Sequence, residues 1–244
     1  MGFSQFIIGS IVILLLSCNI YLNKDKLLNL YPKDFSNDTF KLYYFKVNGR
    51  AAPARALLSY AKINFEDIFV GQNWQEQKKN NSLFEFGQVP ILVHNGKAMS
   101  QSKAIYLYLA QLFKLDGKNI DDQYQINSLL NSYDDISRSY SPYAFPKNDE
   151  EKNNKEKYKK ILVEELKRIF GIYEKRYIKL GTGKYYLGDY FSLADIYLTV
   201  YMNVFTKSVG GFQLIKESAP KLADLITRIK NNELKTFFEK YYYD

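Results

Sequence analysis

FKLYYFKVNGRAAPAR, residues 40–55, decides how this chain folds. Phe40, Leu42 and Tyr44 alternate onto one face, which is the period of a strand. Asn48-Gly49 ends that strand, and the Ala-rich run from Arg50 onward favours a helix. Pro53 falls near the helix start, where a missing N–H costs little. The pattern is strand, tight turn and helix. It leaves Tyr44 beside a helix N-terminus, a place suited to holding an anion.

Downstream, Ala54, Leu57, Leu58 and Ala61 recur at three and four and give this helix a buried face up to about Lys62. Phe65–Val70 reads as a second strand, parallel to the first across the crossover helix. Gly71–Phe86 is a loop with room for a helical turn. Val89–His94 is a third strand, Asn95-Gly96 a type I′ hairpin turn, and Lys97–Met99 the fourth strand. A helix then starts at Ser100 or Gln101, with Ala104, Ile105, Tyr108, Leu109 and Leu112 as its apolar stripe. The order βαβ then ββα describes a thioredoxin-like α/β domain over residues 38–115.

After Asp116 the strand signals stop. Helices are expected over Asp122–Ser139 and Glu150–Tyr177, at Phe191 and after Pro220. In the third of these Ser192 and Asp195 have the spacing of a capping box, with Phe191 and Ile196 as its staple. Asp195 is therefore read as a folding residue. Residues 116–244 make an all-helical domain.

Upstream, Phe6–Leu22 is apolar for 17 residues without a charge. That length suits a short membrane anchor or a signal segment over residues 1–23, with a hydrophobic helix the expected form. Lys24, Lys26 and Lys33 follow, so an uncleaved anchor would leave the downstream domain in the cytoplasm. A cleaved signal would send it to the secretory lumen or outside. Residues 24–37, with Tyr31-Pro32, read as a linker.

Composition removes several kinds of chemistry. The chain has one cysteine, Cys18, and one histidine, His94. That excludes a disulfide framework and disfavours zinc catalysis or a Ser-His-Asp triad. The net charge of +8 favours small anions and anionic surfaces. No basic stripe interleaves with base-stacking aromatics, so nucleic acid is not an expected partner.

Two further features carry chemistry. Val89-Pro90 places a proline where a strand should run. A cis bond there would turn the Val89 N–H and C=O outward, where an extended peptide could pair with them. Gln101-Ser102 falls where the fourth strand hands over to a helix. Its N–H groups and hydroxyl could hold a carboxylate, though serine there also serves as a cap.

LYYFKVNGRAAPAR (42–55), the W-x-x-x-K of Trp74 and Lys78, FGQVPIL (86–92), SQSKAI (100–105) and the SLAD helix start (192–195) together resemble a glutathione transferase. The resemblance is closest to the sigma-like class that includes haematopoietic-type prostaglandin D synthases, and it covers Phe40 to the C-terminus. It implies a homodimer with glutathione as cosubstrate and a small hydrophobic electrophile as second substrate. Tyr44 resembles the catalytic tyrosine that donates its hydroxyl to the glutathione sulfur, with Phe45 packed beside it and Arg50 in electrostatic support. Trp74 and Lys78 resemble the pair that grips the glycyl end, assisted at Gln88. Val89, before Pro90, resembles the residue whose backbone pairs with the cysteinyl unit. Gln101 and Ser102 resemble the pair that holds the γ-glutamyl carboxylate. Asp135, beside Asp134, resembles the residue that reaches the γ-glutamyl amine across a dimer interface.

The pattern also departs from the family. The segment from Trp74 to Phe86 is about three residues longer. Asn131 stands in place of an acidic residue, so no metal is expected. The tryptophan found near Tyr143 in the isomerising relatives is absent. Lys46, Val47, Tyr140, Tyr143 and Phe145 are the expected walls of the electrophile pocket. The alternative reading is a non-catalytic relative that binds lipophilic ligands or a partner at a membrane.

Overall fold

Alternation in residues 40–44 becomes strand β1, Phe40–Tyr44, whose odd-numbered neighbours on the other face are less buried. The computed structural model describes residues 34–181 and 183–243. Strand β2 is Glu66–Phe69, β3 is Ile91–His94 and β4 is Lys97–Met99. They form one sheet in the order β2-β1-β3-β4. β1 runs parallel to β2 and antiparallel to β3, with Leu42 opposite Asp67 on one side and Leu92 on the other. β3 and β4 join through Asn95 and Gly96 at φ 50° and 80°, the left-handed pair that a type I′ turn requires.

β2 and β3 are shorter than the sequence suggests. Val89 and Pro90 lie outside the ladder because proline has no N–H to give it. The Val89-Pro90 bond is cis, as read from the sequence.

Helix α1 spans Ala52–Tyr60, α2 Trp74–Gln77 and α3 Ser102–Leu112. Ser102 is thus the first residue of its helix and Gln101 precedes it. α4 spans Ile120–Asn131, α5 Tyr133–Ala144, α6 Asp149–Asn153 and α7 Lys155–Lys179. α8 spans Leu193–Thr206, α9 Gly211–Ser218, α10 Pro220–Asn231 and α11 Lys235–Lys240.

Three expectations are corrected. First, α1 has no single apolar stripe: every residue from Ala52 to Leu58 is buried. It is enclosed by α3, α8 and α11, so even Arg55 lies inside. Second, the helix expected over Asp122–Ser139 breaks at Ser132 and continues to Ala144 through Pro142. The Ser132 hydroxyl bonds back to the Leu129 carbonyl at 2.6 Å, offering the backbone an alternative partner. Third, the helix expected over Glu150–Tyr177 breaks at Asn154, which has φ −110° and donates its side-chain amide to the Glu150 carbonyl.

α8 starts as expected. The Ser192–Asp195 capping box is complete, and both residues are buried. On the sheet face away from α1, Val70, Phe84 and Ile91 form a cluster closed by Tyr43, Trp74 and Val93. Among the described residues no helix is long and apolar enough to cross a membrane. The apolar run Phe6–Leu22 and most of the linker lie outside the described residues.

Candidate functional site

Tyr44 ends β1 on its buried face, and the chain turns straight back over it. A 3-10 turn, Gly49–Ala51, leads into α1. Its Arg50 N–H donates to the Tyr44 hydroxyl at 3.0 Å. The hydroxyl therefore has an accepting role filled by the chain and keeps its own proton to donate. The close approach needs glycine at 49. That residue has φ +38°, and a Cβ there would sit 2.6 Å from the Tyr44 oxygen. Burial pushes the Tyr44 pKa above its ordinary value, while the Arg50 N–H pulls it back. The group stays a protonated donor at neutral pH. Tyr43, on the other face, meets Phe84 edge-on and takes no part.

A cleft opens next to this turn, lined by Arg50, Phe86, Gln88, Val89, Pro90, Ser100, Gln101 and Ser102. Three separate segments supply it: the start of α1, the loop before β3 and the start of α3. Gln101 stands at φ 69°, ψ 108°, a costly backbone for any residue but glycine. Such strain held at a cleft is a recurrent sign of a site. No side chain caps α3, so serine at 102 is not the cap that its position allows.

Phe45 and Trp74 join the site from its edge. Their rings meet edge-on at 5.9 Å, and Phe45 meets Tyr44 at 5.7 Å. Trp74 is anchored behind by Phe84 at 5.2 Å. Lys78 closes α2, with its N–H on the Trp74 carbonyl. Asp135 is not brought to the cleft. It lies on α5 in a groove shared with Asn131, Arg168 and Tyr173, and is paired with Arg138. Asp134 pairs with Lys103 of α3 at 2.6 Å.

Between sheet and helices, the Arg50 guanidinium lies over the Tyr133 ring at 4.9 Å. Tyr133 and Tyr140 both meet Phe205, at 5.5 and 5.3 Å, and Tyr140 meets Phe145 at 6.0 Å. Tyr143 donates to the Ser208 carbonyl instead. Sequence reading missed Tyr133 and Phe205. The seven-residue spacing of Tyr133 and Tyr140, two helical turns, was the available signal.

It also missed the brace under the turn. Arg55 is fully buried and bound by two nitrogens to Asp67, at 2.8 and 3.3 Å. It donates to the Phe45 and Val47 carbonyls, at 3.2 and 2.7 Å. One guanidinium thus fixes the loop after Tyr44 to β2. Among the described residues no cluster of His, Cys, Asp and Glu could hold a metal ion.

Comparison with known proteins gives a consistent result. "Glutathione S-transferase, N-terminal domain" matches residues 39–111, and "Glutathione S-transferase, C-terminal domain" matches residues 134–240. The chain is 37% identical to the probable glutathione S-transferase 5 of Caenorhabditis elegans over 107 residues. That is 44% of this chain and about half, 52%, of that relative's length. It is 32% identical to glutathione S-transferase A4 of Mus musculus over 162 residues, 65% of this chain and 70% of that relative. A crystal structure of a nematode-specific glutathione S-transferase from C. elegans superimposes with TM-score 0.72 at 27% identity. It covers 84% of this chain and 97% of that one.

Proposed function

We propose, from the premise that this chain belongs to the glutathione S-transferase family and takes glutathione as its cosubstrate, that Tyr44 sets the reactive thiolate. The observation that carries this reading is the pairing of one buried phenol with a cleft drawn from three segments. Its hydroxyl would donate to the glutathione sulfur. A free thiol titrates near about 8.5, and lowering it by about two units takes about 2.7 kcal/mol. A hydrogen bond to a charged group supplies about 1.5–3 kcal/mol, so one phenol suffices.

In this reading Val89 pairs through its backbone with the cysteinyl unit. Gln101 and Ser102 hold the γ-glutamyl carboxylate at the start of α3. Trp74, Lys78 and Gln88 hold the glycyl end, and Arg50 adds positive potential beside the sulfur. The thiolate attacks an electrophilic carbon, forming the S–C bond as the leaving group departs with its electron pair. The thiol proton passes to solvent. Lys46, Val47 and Tyr140 would wall the site of a small hydrophobic electrophile, with Tyr133 and Tyr140 seated on the buried Phe205 ring.

The finer assignments belong to the same proposal. The motifs favour the sigma-like class. Asp135, away from its own cleft, suits a homodimer in which it serves the partner's glutathione, which light scattering would test. Residues 6–22 suit attachment to a membrane with the catalytic unit on the cytoplasmic side. Retention through a carbonate wash would test the attachment.

Conjugation of a generic aryl halide tests the central role. Tyr44→Phe should lower kcat/KM about 10- to 100-fold while glutathione binds nearly as before. Equal turnover in that variant would remove Tyr44 from the mechanism. The parent's pH profile should rise through the thiol limb with no fall from Tyr44 below about pH 10, since its pKa is raised.

A further inference from the structure

The turn over Tyr44 is held from a distant part of the chain. Asn48, immediately before Gly49, is buried although polar. Its side chain is taken up by residue 243: the Tyr243 N–H donates to Asn48 Oδ1 at 2.9 Å, and Asn48 Nδ2 donates to the Tyr243 carbonyl. A side-chain amide paired on both sides with one backbone residue mimics a rung of sheet. The Asn48 carbonyl in turn accepts the Ala52 N–H at 3.0 Å, fixing the start of α1.

The Tyr243 side chain grips the other end of the same loop. Its hydroxyl donates to Asp67 Oδ2 at 2.9 Å, the oxygen that also takes the Arg55 Nε–H. Its ring lies under the Arg55 guanidinium at 4.8 Å and meets Phe69 edge-on at 5.5 Å. Two residues earlier, Tyr241 covers Phe65 at 5.0 Å. Residues 241–243 therefore run over β2, an edge strand of the sheet, and touch both anchors of the 45–50 loop.

We infer that residues 241–243 form a strap whose catch is Asn48, and that Tyr243 is a positioning residue for the Tyr44 hydroxyl. The inference rests on the assignment of Tyr44 as the thiolate-setting group. Without the strap, Asn48 loses both side-chain partners and the Arg55–Asp67 pair loses its cover. The segment that carries Gly49 and the Arg50 N–H is then free to lift from the phenol. The charged and titratable groups that face Tyr44 are Arg50 from the turn, Arg55 from α1, Tyr106 from α3 and Tyr133 from α5. None of them depends on the strap for its charge, so a change in the sulfur's behaviour would report position.

The test compares four variants with the full-chain parent: truncation after Tyr242, Asn48→Ala, the two combined, and Tyr44→Phe as reference. The readouts are kcat, KM for glutathione, the pH at which kcat/KM rises, and the ultraviolet absorbance of the bound thiolate. Truncation and Asn48→Ala should each move the rising limb up by about one pH unit, a tenfold loss of thiolate at neutral pH. KM for glutathione should stay within about twofold, and the combined variant should fall no further than either alone. A limb that stays at the parent's pH, even with a lower melting temperature, would reduce the strap to a stabilising contact and overturn the inference. Additive losses in the combined variant would do the same. Should the truncated chain fail to fold, Tyr243→Phe removes only the bond to Asp67 and should still shift the limb in the same direction; an unmoved limb there overturns the inference. A Tyr44→Phe enzyme as active as the parent would sink the assignment of Tyr44 and the strap's role with it. A crippled Tyr44→Phe beside a strapless enzyme with the parent's limb would sink the strap alone.

Discussion

Helices α3 and α8 begin in opposite ways. At the start of α8 the Asp195 carboxylate takes N–H groups from Tyr186 and Ser192 at 2.8 and 2.9 Å, and the Ser192 hydroxyl at 2.9 Å. Everything there is buried and paired within the chain. At the start of α3 no side chain caps the helix, the preceding Gln101 is exposed and strained, and the cleft lies alongside. A polar helix start that is closed upon itself serves folding, because its bonding capacity is spent. One left open beside a cavity keeps that capacity for something else. Tyr44 falls between these cases: its hydroxyl accepts one N–H and retains one proton.

The contrast is broken most severely at its closed end. Asp195→Ala strips buried N–H groups of their partner and should cost about 3 kcal/mol or more of stability. Denaturant unfolding checks this. Turnover per folded molecule should stay near the parent's. Lost turnover with intact stability would mean that the closed start is part of the site. Gly49→Ala comes next. It places a methyl against the Tyr44 oxygen and puts a side chain at φ +38°, where backbone strain costs about 1–2 kcal/mol. The melting temperature should fall, and kcat/KM should fall about tenfold because the phenol moves. An unchanged kcat/KM would show that the exact seat of the hydroxyl does not matter.

Much of this was legible in the chain. The β1–turn–α1 reading held because alternation, Asn-Gly and the Ala-rich run all point the same way within sixteen residues. Asn95-Gly96 specified its hairpin because both residues tolerate positive φ. The helix breaks at Ser132 and Asn154 were missed because each depends on a polar side chain turning back on its own helix, which periodicity does not register. Of the residues that line the cleft, Arg50, Gln88, Val89, Pro90, Gln101 and Ser102 stand out in the sequence through the motifs they belong to, whereas Phe86 and Ser100 do not. Nor do the supports behind them. Arg55 reads as one more helix residue until Asp67 is beside it, and Tyr243 lies 195 positions from Asn48. Local pattern carries no information about such pairs.

The smallest change is the most discriminating. Ser102 has the residue type of a cap, yet it is the first residue inside α3, and the cap position belongs to Gln101 with no side-chain bond. If the α3 start is open for a carboxylate, Ser102→Ala removes one donor to the ligand; within the chain it removes only the Ser102 bond to the Tyr106 hydroxyl, which keeps the Arg50 carbonyl and the Tyr201 hydroxyl as partners. A hydrogen bond to a charged group contributes about 1.5 kcal/mol at the low end of its range, so KM for glutathione should rise about tenfold with kcat unchanged. The unfolding free energy should stay within about 0.5 kcal/mol of the parent. The opposite result, lower stability with the parent's KM, would make Ser102 a folding residue like Ser192. The two helix starts would then differ in exposure alone, and an open start would no longer mark the place where the tripeptide's carboxylate is held.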